Sequence, residues 1–367
     1  MKTRKLAVVA GIVSLAVIGA GCSSKSSTPT GGGDGSTTNA GVPLTGAGST
    51  FAAPIYTQWG KDFNAVEPGA QINYQAIGSG GGIDAITRQA ADFGATDAPL
   101  QTDALAALPA DAVQIPTVLG GLAVAYNLPG LTAPLDLDGA TAADIFLGKI
   151  TSWNDPAITA LNPGVTLPST TIRPVHRSDD SGSTFVFTSY LSSQSPTFKE
   201  TVGADSTVQW PSGAAGKDGS DGVSGYLVQT EGSIGYVSYD YAVANSLGSA
   251  AIKAPDGSFI APSVASISAA GAGLKFPINP DTNVLNSSAA GAYPIATTTY
   301  VIVYKDQADQ AKGQTLVDFL HWGLTKGQDT AAALNYAPLP SDIATQALAA
   351  LATLTYSGQP ITPSAGT

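Results

Sequence analysis

The stretch QINYQAIGSGGGIDAITRQAADFGA, residues 71–95, changes its period twice. Residues 71–77 (QINYQAI) alternate polar with apolar, as a half-buried strand does. Residues 81–91 follow as a helix, and 92–95 (DFGA) read as a second, short strand. Strand, helix and strand in so short a span make a unit of an α/β sheet. The joint before the predicted helix holds only glycine and serine, GSGGG at 78–82. A helix N-terminus exposes unpaired N–H groups and a partial positive charge, and residues this small leave both open to a ligand.

The alternation continues in both directions. In TFAAPIYTQWGKDFNAV (50–66), Phe51, Ile55, Trp59 and Phe63 recur every four residues, which predicts a helix. TVLGGLAVAY (117–126) is a buried apolar strand, and residues 141–162 are helical but broken by turns. IGYVSYDY (234–241) and YVIVY (300–304) are further strands. Helices over Thr315–Leu324 and Ser341–Thr355 close the chain, the latter with Ser341-Asp342 as its cap. No repeat of fixed period occurs. At 367 residues the chain exceeds one average domain, so two are expected, and 43% hydrophobic residues suffice for their cores. With 27 acidic against 16 basic residues the net charge is −11, and no basic block is present. That balance argues against nucleic acid, whose backbone is held by Lys and Arg. A small anion is still admissible, because it feels local donors more than net charge.

The N-terminus carries its own signal. MKTRK (1–5) is basic, LAVVAGIVSLAVIGA (6–20) is an apolar run of 15 residues, and Ala20-Gly21 precede Cys22. This is the layout of a secretory signal, residues 1–21, and the run is shorter than the roughly 20 residues of a membrane span. A small pair ending in cysteine resembles a bacterial lipobox with Cys22 as the lipidated residue, although Gly19 replaces the usual leucine. As the sole cysteine, Cys22 rules out an intramolecular disulfide. Residues 22–41 are dominated by Ser, Thr and Gly and form a flexible tether. No other segment reaches membrane-spanning length.

Three stretches share the design of residues 78–82. GAGSTFAAP (46–54), IGSGGGIDAI (77–86) and RSDDSGSTFVF (177–187) each set Gly, Ser or Thr before a predicted helix. One such stretch is ordinary capping; three, one of them carrying Arg177, point to an anion site. Enzyme signatures fail by comparison. Gly216-Lys217 is followed by Asp218, so no GxxxxGK[ST] loop exists; Ile83 breaks GxGxxG, and no serine lies in G-x-S-x-G. His321 sits in the helical FLHWGL as a packed surface residue, and His176 adjoins Arg177 without an activated serine. Two isolated histidines and one cysteine make no metal cluster.

GAGSTFAAP, YQAIGSGGG, DFGATDAPL, FLGKITSWNDPAITALNPG, RSDDSGSTFVFTSYL, TVQWPSGAAGKDGSDGV and GSIGYVSYDYA occur in this order. From about Leu44 to Leu351 the chain resembles the phosphate-binding proteins (PstS) of bacterial ABC phosphate importers. The resemblance implies a type II periplasmic-binding-protein fold of class α/β, whose two lobes close on one phosphate. It places lobe I at 42–120 plus 295–360 and lobe II at 121–294. Carried over by position, the ligand contacts fall on Thr50, Phe51, Ser79 and Asp97 of lobe I, and on Arg177, Ser181, Gly182 and Ser183 of lobe II. Asp179 would hold Arg177. Ser183 stands where the family often has threonine, and Asp180 where a small neutral residue is usual; an inward Asp180 would repel the ligand, so it is expected to point outward.

The resemblance implies a lipid-anchored extracytoplasmic receptor that delivers phosphate to membrane permease subunits, with no enzyme activity, cofactor or nucleic-acid partner. Asp97 would choose the anion: hydrogen phosphate brings an O–H that needs an acceptor, whereas sulfate at neutral pH has none. A receptor for sulfate or molybdate is the alternative that Asp97 opposes. A secreted phosphatase and a surface adhesin are alternatives from other classes.

Overall fold

The structure, a computed structural model, describes residues 41–131, 134–275 and 284–367. The signal segment, Cys22 and all of the tether before Gly41 lie outside the described residues. Among the described residues, no helix is long and apolar enough to cross a membrane.

The molecule is organised on one long strand. In chain order the main sheet contains β1 (Leu44–Gly48), β2 (Ile72–Ala76), β3 (Phe93–Thr96), β4 (Ala112–Tyr126), β5 (Arg173–Arg177), β6 (Ala215–Lys217), β7 (Ser233–Ser238), β8 (Gly248–Ser249) and β9 (Ala296–Tyr304). Their spatial order is β2-β1-β3-β9-β4-β7-β5-β6, with β8 also on β4. From Ala112 to Gly121, β4 pairs antiparallel with β9; from Leu122 to Tyr126 it pairs antiparallel with β7. β4 is buried from Ile115 onward, which explains why its sequence is apolar without alternation. The register of β4 with β9 slips between Thr299 and Tyr300, opposite Pro116, a residue that cannot donate to a ladder.

Two lobes grow from this strand. One carries β1, β2 and β3, mutually parallel through β1; the other carries β5, parallel to β6 and β7. Gly120 and Gly121 mark the changeover of partners. A Cβ on Gly120 would lie 2.3 Å from the Phe51 ring, and one on Gly121 would lie 2.8 Å from Ile267. Side chains from other elements therefore pack directly on the backbone at that point.

The helices place small residues at strand ends. Helix α1 runs Ala53–Val66 and buries Ile55, Trp59 and Phe63 of the expected stripe, together with Tyr56, while Phe51 lies before the helix. It begins three residues later than the expected start at Thr50, because Pro54 suits the first turn and the chain before it is not helical. Helix α2 runs Ser79–Thr87, beginning earlier than expected, after Gly78 at φ 82°. The broken helix of 141–162 resolves into α3 (Gly139–Phe146) and α4 (Pro156–Leu161), capped by the Asp138 and Asp155 carboxylates. Helix α5 runs Gly182–Gln194 and α6 Gly219–Gln229.

Two further expectations are corrected. The strand read over 234–241 stops at Ser238, and Tyr239–Ala244 form helix α7. Aromatic residues continue through the junction, so period alone gave no stop. Of the closing helices, α8 spans Gln310–Leu324 and α9 spans Ser341–Leu351. Ser341 is the first residue of α9 and caps nothing; Pro340 holds the cap position. Residues 352–355 lie outside the helix; Leu354 is fully buried and the Thr355 N–H bonds to the Lys305 carbonyl at 2.7 Å.

Candidate functional site

The residues after β1 and β3 and at the start of α2 face those at the end of β5 and the starts of α5 and α6. From the first lobe come Thr50, Phe51, Ser79 and Asp97; from the second come Arg177, Ser181, Gly182 and Ser183. All eight side chains or backbones are buried. The lobes are in contact here. The Thr50 and Ser220 hydroxyls share a hydrogen bond of 2.8 Å, and the Ser220 N–H donates to Thr50 Oγ1 at 3.2 Å. The Gly80 N–H donates to the Asp180 carbonyl at 3.2 Å.

Glycine is required at one of these crossings. A Cβ on Gly182 would lie 2.6 Å from Ser79 Oγ and 2.9 Å from the Asp97 nitrogen. Real Cβ atoms do not approach so closely, so only glycine lets the α5 N-terminus reach the first lobe.

Arg177 is fixed before any ligand is considered. Its Nε donates to Asp179 Oδ1 at 2.6 Å, and its Nη2 donates to Asp179 Oδ2, a two-point fork. The backbone N–H of Arg177 donates to the Tyr236 hydroxyl at 3.0 Å, and that hydroxyl is paired with Thr184 Oγ1 at 2.7 Å. Asp179 also accepts the Gly219 N–H at 3.1 Å, which ties α6 to the same carboxylate. Burial works to raise the Asp179 pKa, but the hydrogen bond and charge of Arg177, with the Gly219 N–H, outweigh it and hold the carboxyl below its usual range. Among the described residues, the other guanidinium N–H groups have no carboxylate partner.

Asp97 is the opposite case. Its residue is 1% exposed, and burial pushes its pKa up to about 6, against the hydroxyls of Ser49, Thr299 and Ser79 and the charge of Arg177. Around it the donors are in excess. Ser79 and Ser183 sit in the first turns of α2 and α5, helices whose free N–H groups and dipoles converge on the same region. Ser181 Oγ accepts the Thr184 N–H at 3.2 Å as a cap, a bond that leaves its O–H able to donate. Ser183 Oγ is buried with no hydrogen-bond partner among the described residues. A buried hydroxyl without a partner costs free energy unless something else supplies one. Among the described residues no group of three or more His, Cys, Asp or Glu is placed to hold a metal ion.

The structure thus brings all eight expected residues into one region, and Asp180 is exposed, with its carboxyl group beside Gly80 at the start of α2. It adds Ser49, whose hydroxyl meets the Asp97 carboxylate, and Ser220, which meets Thr50. Ser220 carried a readable signal: GKDGSDG has the same Gly-Ser pair before a helix as the other stretches. Ser49 carried none, since its neighbour Thr50 accounted for the hydroxyl chemistry of GAGSTF. His321 is half-buried, with its Nδ1 3.0 Å from the Thr367 carbonyl, and takes no part in the site.

Site residues drawn from both lobes built on one sheet mark a two-lobed solute-binding fold, and a model of the PBP superfamily domain matches residues 24–324. The phosphate-binding protein PstS of Xylella fastidiosa is 42% identical over 308 residues, covering 83% of this chain and 84% of that protein. The PstS of Pasteurella multocida is 40% identical over 303 residues, covering 82% and 87%. In fold, a human phosphate-binding apolipoprotein superposes with a TM-score of 0.69 at 23% identity, covering 83% of this chain and 93% of its own. The chain belongs to the PstS family within the PBP superfamily.

Proposed function

We propose that the protein binds one inorganic phosphate between its lobes, as an extracytoplasmic receptor that delivers it to an ABC-type permease. The observation that carries this reading is the pairing of opposites in one buried site. Asp97 is a lone acceptor set among helix N-termini, hydroxyls and the guanidinium of Arg177. A proton-bearing oxyanion satisfies both sides: its oxygens accept from the donors and its O–H donates a hydrogen bond to the Asp97 carboxylate. Thr50, Phe51, Ser79, Arg177, Ser181, Gly182 and Ser183 are assigned as the donors, Phe51 and Gly182 through their backbone N–H. Family membership supports binding rather than catalysis, and the site offers no activated nucleophile. Binding of labelled phosphate by purified protein, measured beside product release from a phosphate ester, tests the reading. Phosphate retention without hydrolysis is expected; ester hydrolysis without retention would favour a phosphatase.

The lobes are assigned as 42–120 plus 295–360 and 121–294, a division supported by the change of partner along β4 between Gly121 and Leu122. Ligand binding then couples to closure, because donors lie on both sides. Gly182→Ala is expected to obstruct closure at Ser79 and Asp97. Phosphate affinity should fall about tenfold or more, ~1.4 kcal/mol per factor of ten, while the melting temperature without ligand changes little. Titration calorimetry and small-angle scattering with and without phosphate check this.

Lipidation of Cys22, with residues 22–41 as tether, would hold the receptor at the outer face of the cell membrane. Cys22→Ala is expected to release the protein into the soluble fraction with phosphate binding intact. Membrane retention of that variant, or an unmodified wild-type Cys22 by mass spectrometry, would contradict the anchor.

A further inference from the structure

Ser49 is 1% exposed and pinned from three sides. Its N–H donates to the Ala95 carbonyl at 3.0 Å, its carbonyl accepts the Tyr74 hydroxyl at 2.8 Å, and its Oγ accepts the Ala52 N–H at 3.0 Å. With one lone pair of Oγ occupied by Ala52, the hydroxyl proton points to the groups in front of it. Those are both oxygens of Asp97, at 2.6 Å and 2.7 Å. One proton serves one oxygen at a time, so Ser49 by itself leaves the other oxygen to a further donor.

We propose that Ser49 is a positioning residue for anion selectivity: its hydroxyl holds the Asp97 carboxylate ionised and aimed, so that the site admits an oxyanion bearing a proton and refuses one without. The proposal deepens the phosphate reading above and rests on it. A donor aimed at a carboxylate favours the charged form, and at Asp97 it works against burial. Arg177, from the second lobe, is the charged group facing Asp97. Tyr56 on α1, Tyr74 on β2, Tyr300 on β9 and Tyr336 also feel its charge, but burial raises each of their pKa values above the ordinary tyrosine value, so they stay neutral. The hydroxyls of Ser79 and Thr299 complete its surroundings.

The sign of the pH effect follows. With its pKa near 6, Asp97 is ionised in neutral and mildly alkaline solution and repels sulfate. As the pH falls through that value it gains a proton, becomes a donor, and sulfate is admitted. Removing the Ser49 hydroxyl should move this crossover to higher pH, by on the order of one pH unit.

The test uses full-length protein, with sulfate titrated calorimetrically from about pH 8 to about pH 5. Ser49→Ala is expected to bind sulfate from a higher pH than wild type; Ser49→Cys, which keeps the shape but donates weakly, should shift in the same direction by less. In an Asp97→Asn background the Ser49 substitution should leave the sulfate profile where it was. Carbon-13 NMR of the Asp97 carboxyl in ligand-free protein reads the same shift without any anion. Unchanged Asp97 titration in both variants, or an equal Ser49 effect in the Asp97→Asn background, would overturn the proposal. Phosphate binding by wild type at about pH 8 is measured beside it. Its failure would overturn the phosphate reading while the NMR shift still decides what Ser49 does to Asp97.

Discussion

Arg177→Ala should weaken phosphate binding by roughly 10- to 150-fold, the ~1.5–3 kcal/mol of a charge-assisted hydrogen bond. The side chain is 3% exposed, and Asp179 fixes its plane through a two-point fork, so the guanidinium meets a ligand already oriented. Arg177→Lys should recover only part of the loss, since an ammonium cannot hold the Asp179 fork and face the ligand at once. The substitution also leaves Asp179 as a carboxylate that is 15% exposed at its side chain and without its cation. Breaking a buried pair from one side costs up to ~3–5 kcal/mol; Asp179 keeps the Gly219 N–H and should lose less. In wild type the pKa of Asp179 is depressed on folding, so its contribution to stability is present above the ordinary carboxylate range and is lost as pH falls through the folded value. Arg177→Ala should flatten that acid-side loss. Thermal melts across acidic pH, beside calorimetry with phosphate, separate the two effects, and an unchanged affinity in Arg177→Ala would place the anion elsewhere.

How much of this was readable in sequence depends on the range of the interaction. Anion chemistry at a helix N-terminus needs glycine and hydroxyl residues next to one another in the chain, so GAGSTF, IGSGGG and RSDDSGSTF announced themselves. The Arg177–Asp179 fork spans two residues and was equally visible. Contacts between residues far apart in the chain were not. Thr50 meets Ser220 across 170 residues, and Ser49 meets Asp97 across 48, with nothing local at either end to mark the pairing. The helix starts were misplaced for a related reason. Small residues such as Thr50 and Ser79 suit a cap and a first turn alike, and the position of Pro54 and the positive φ of Gly78 decided between them. At the end of β7 the apolar-aromatic rhythm ran on into α7, because the helix begins where the sheet ends rather than where composition changes.

Asp97→Asn is expected to change selectivity more than affinity. Asparagine keeps the shape at a position buried to 1% exposure, removes the charge, and offers an amide that donates to any oxygen. Phosphate should bind about equally or more weakly. Sulfate loses the repulsion, so the preference for phosphate should shrink tenfold or more, ~1.4 kcal/mol per factor of ten. Arsenate, which also carries a proton near neutral pH, should follow phosphate in both proteins. The contrast depends on pH, because Asp97 has a pKa near 6: at about pH 8 the wild-type carboxylate is charged, and the two proteins should differ most. The decisive measurement is therefore titration calorimetry of wild type and Asp97→Asn at about pH 8 with phosphate, arsenate and sulfate. Wild type should bind the first two and reject sulfate, and Asp97→Asn should admit sulfate. Sulfate rejection of equal strength in both proteins would contradict the account and assign the choice of anion to the size of the site or the number of its donors.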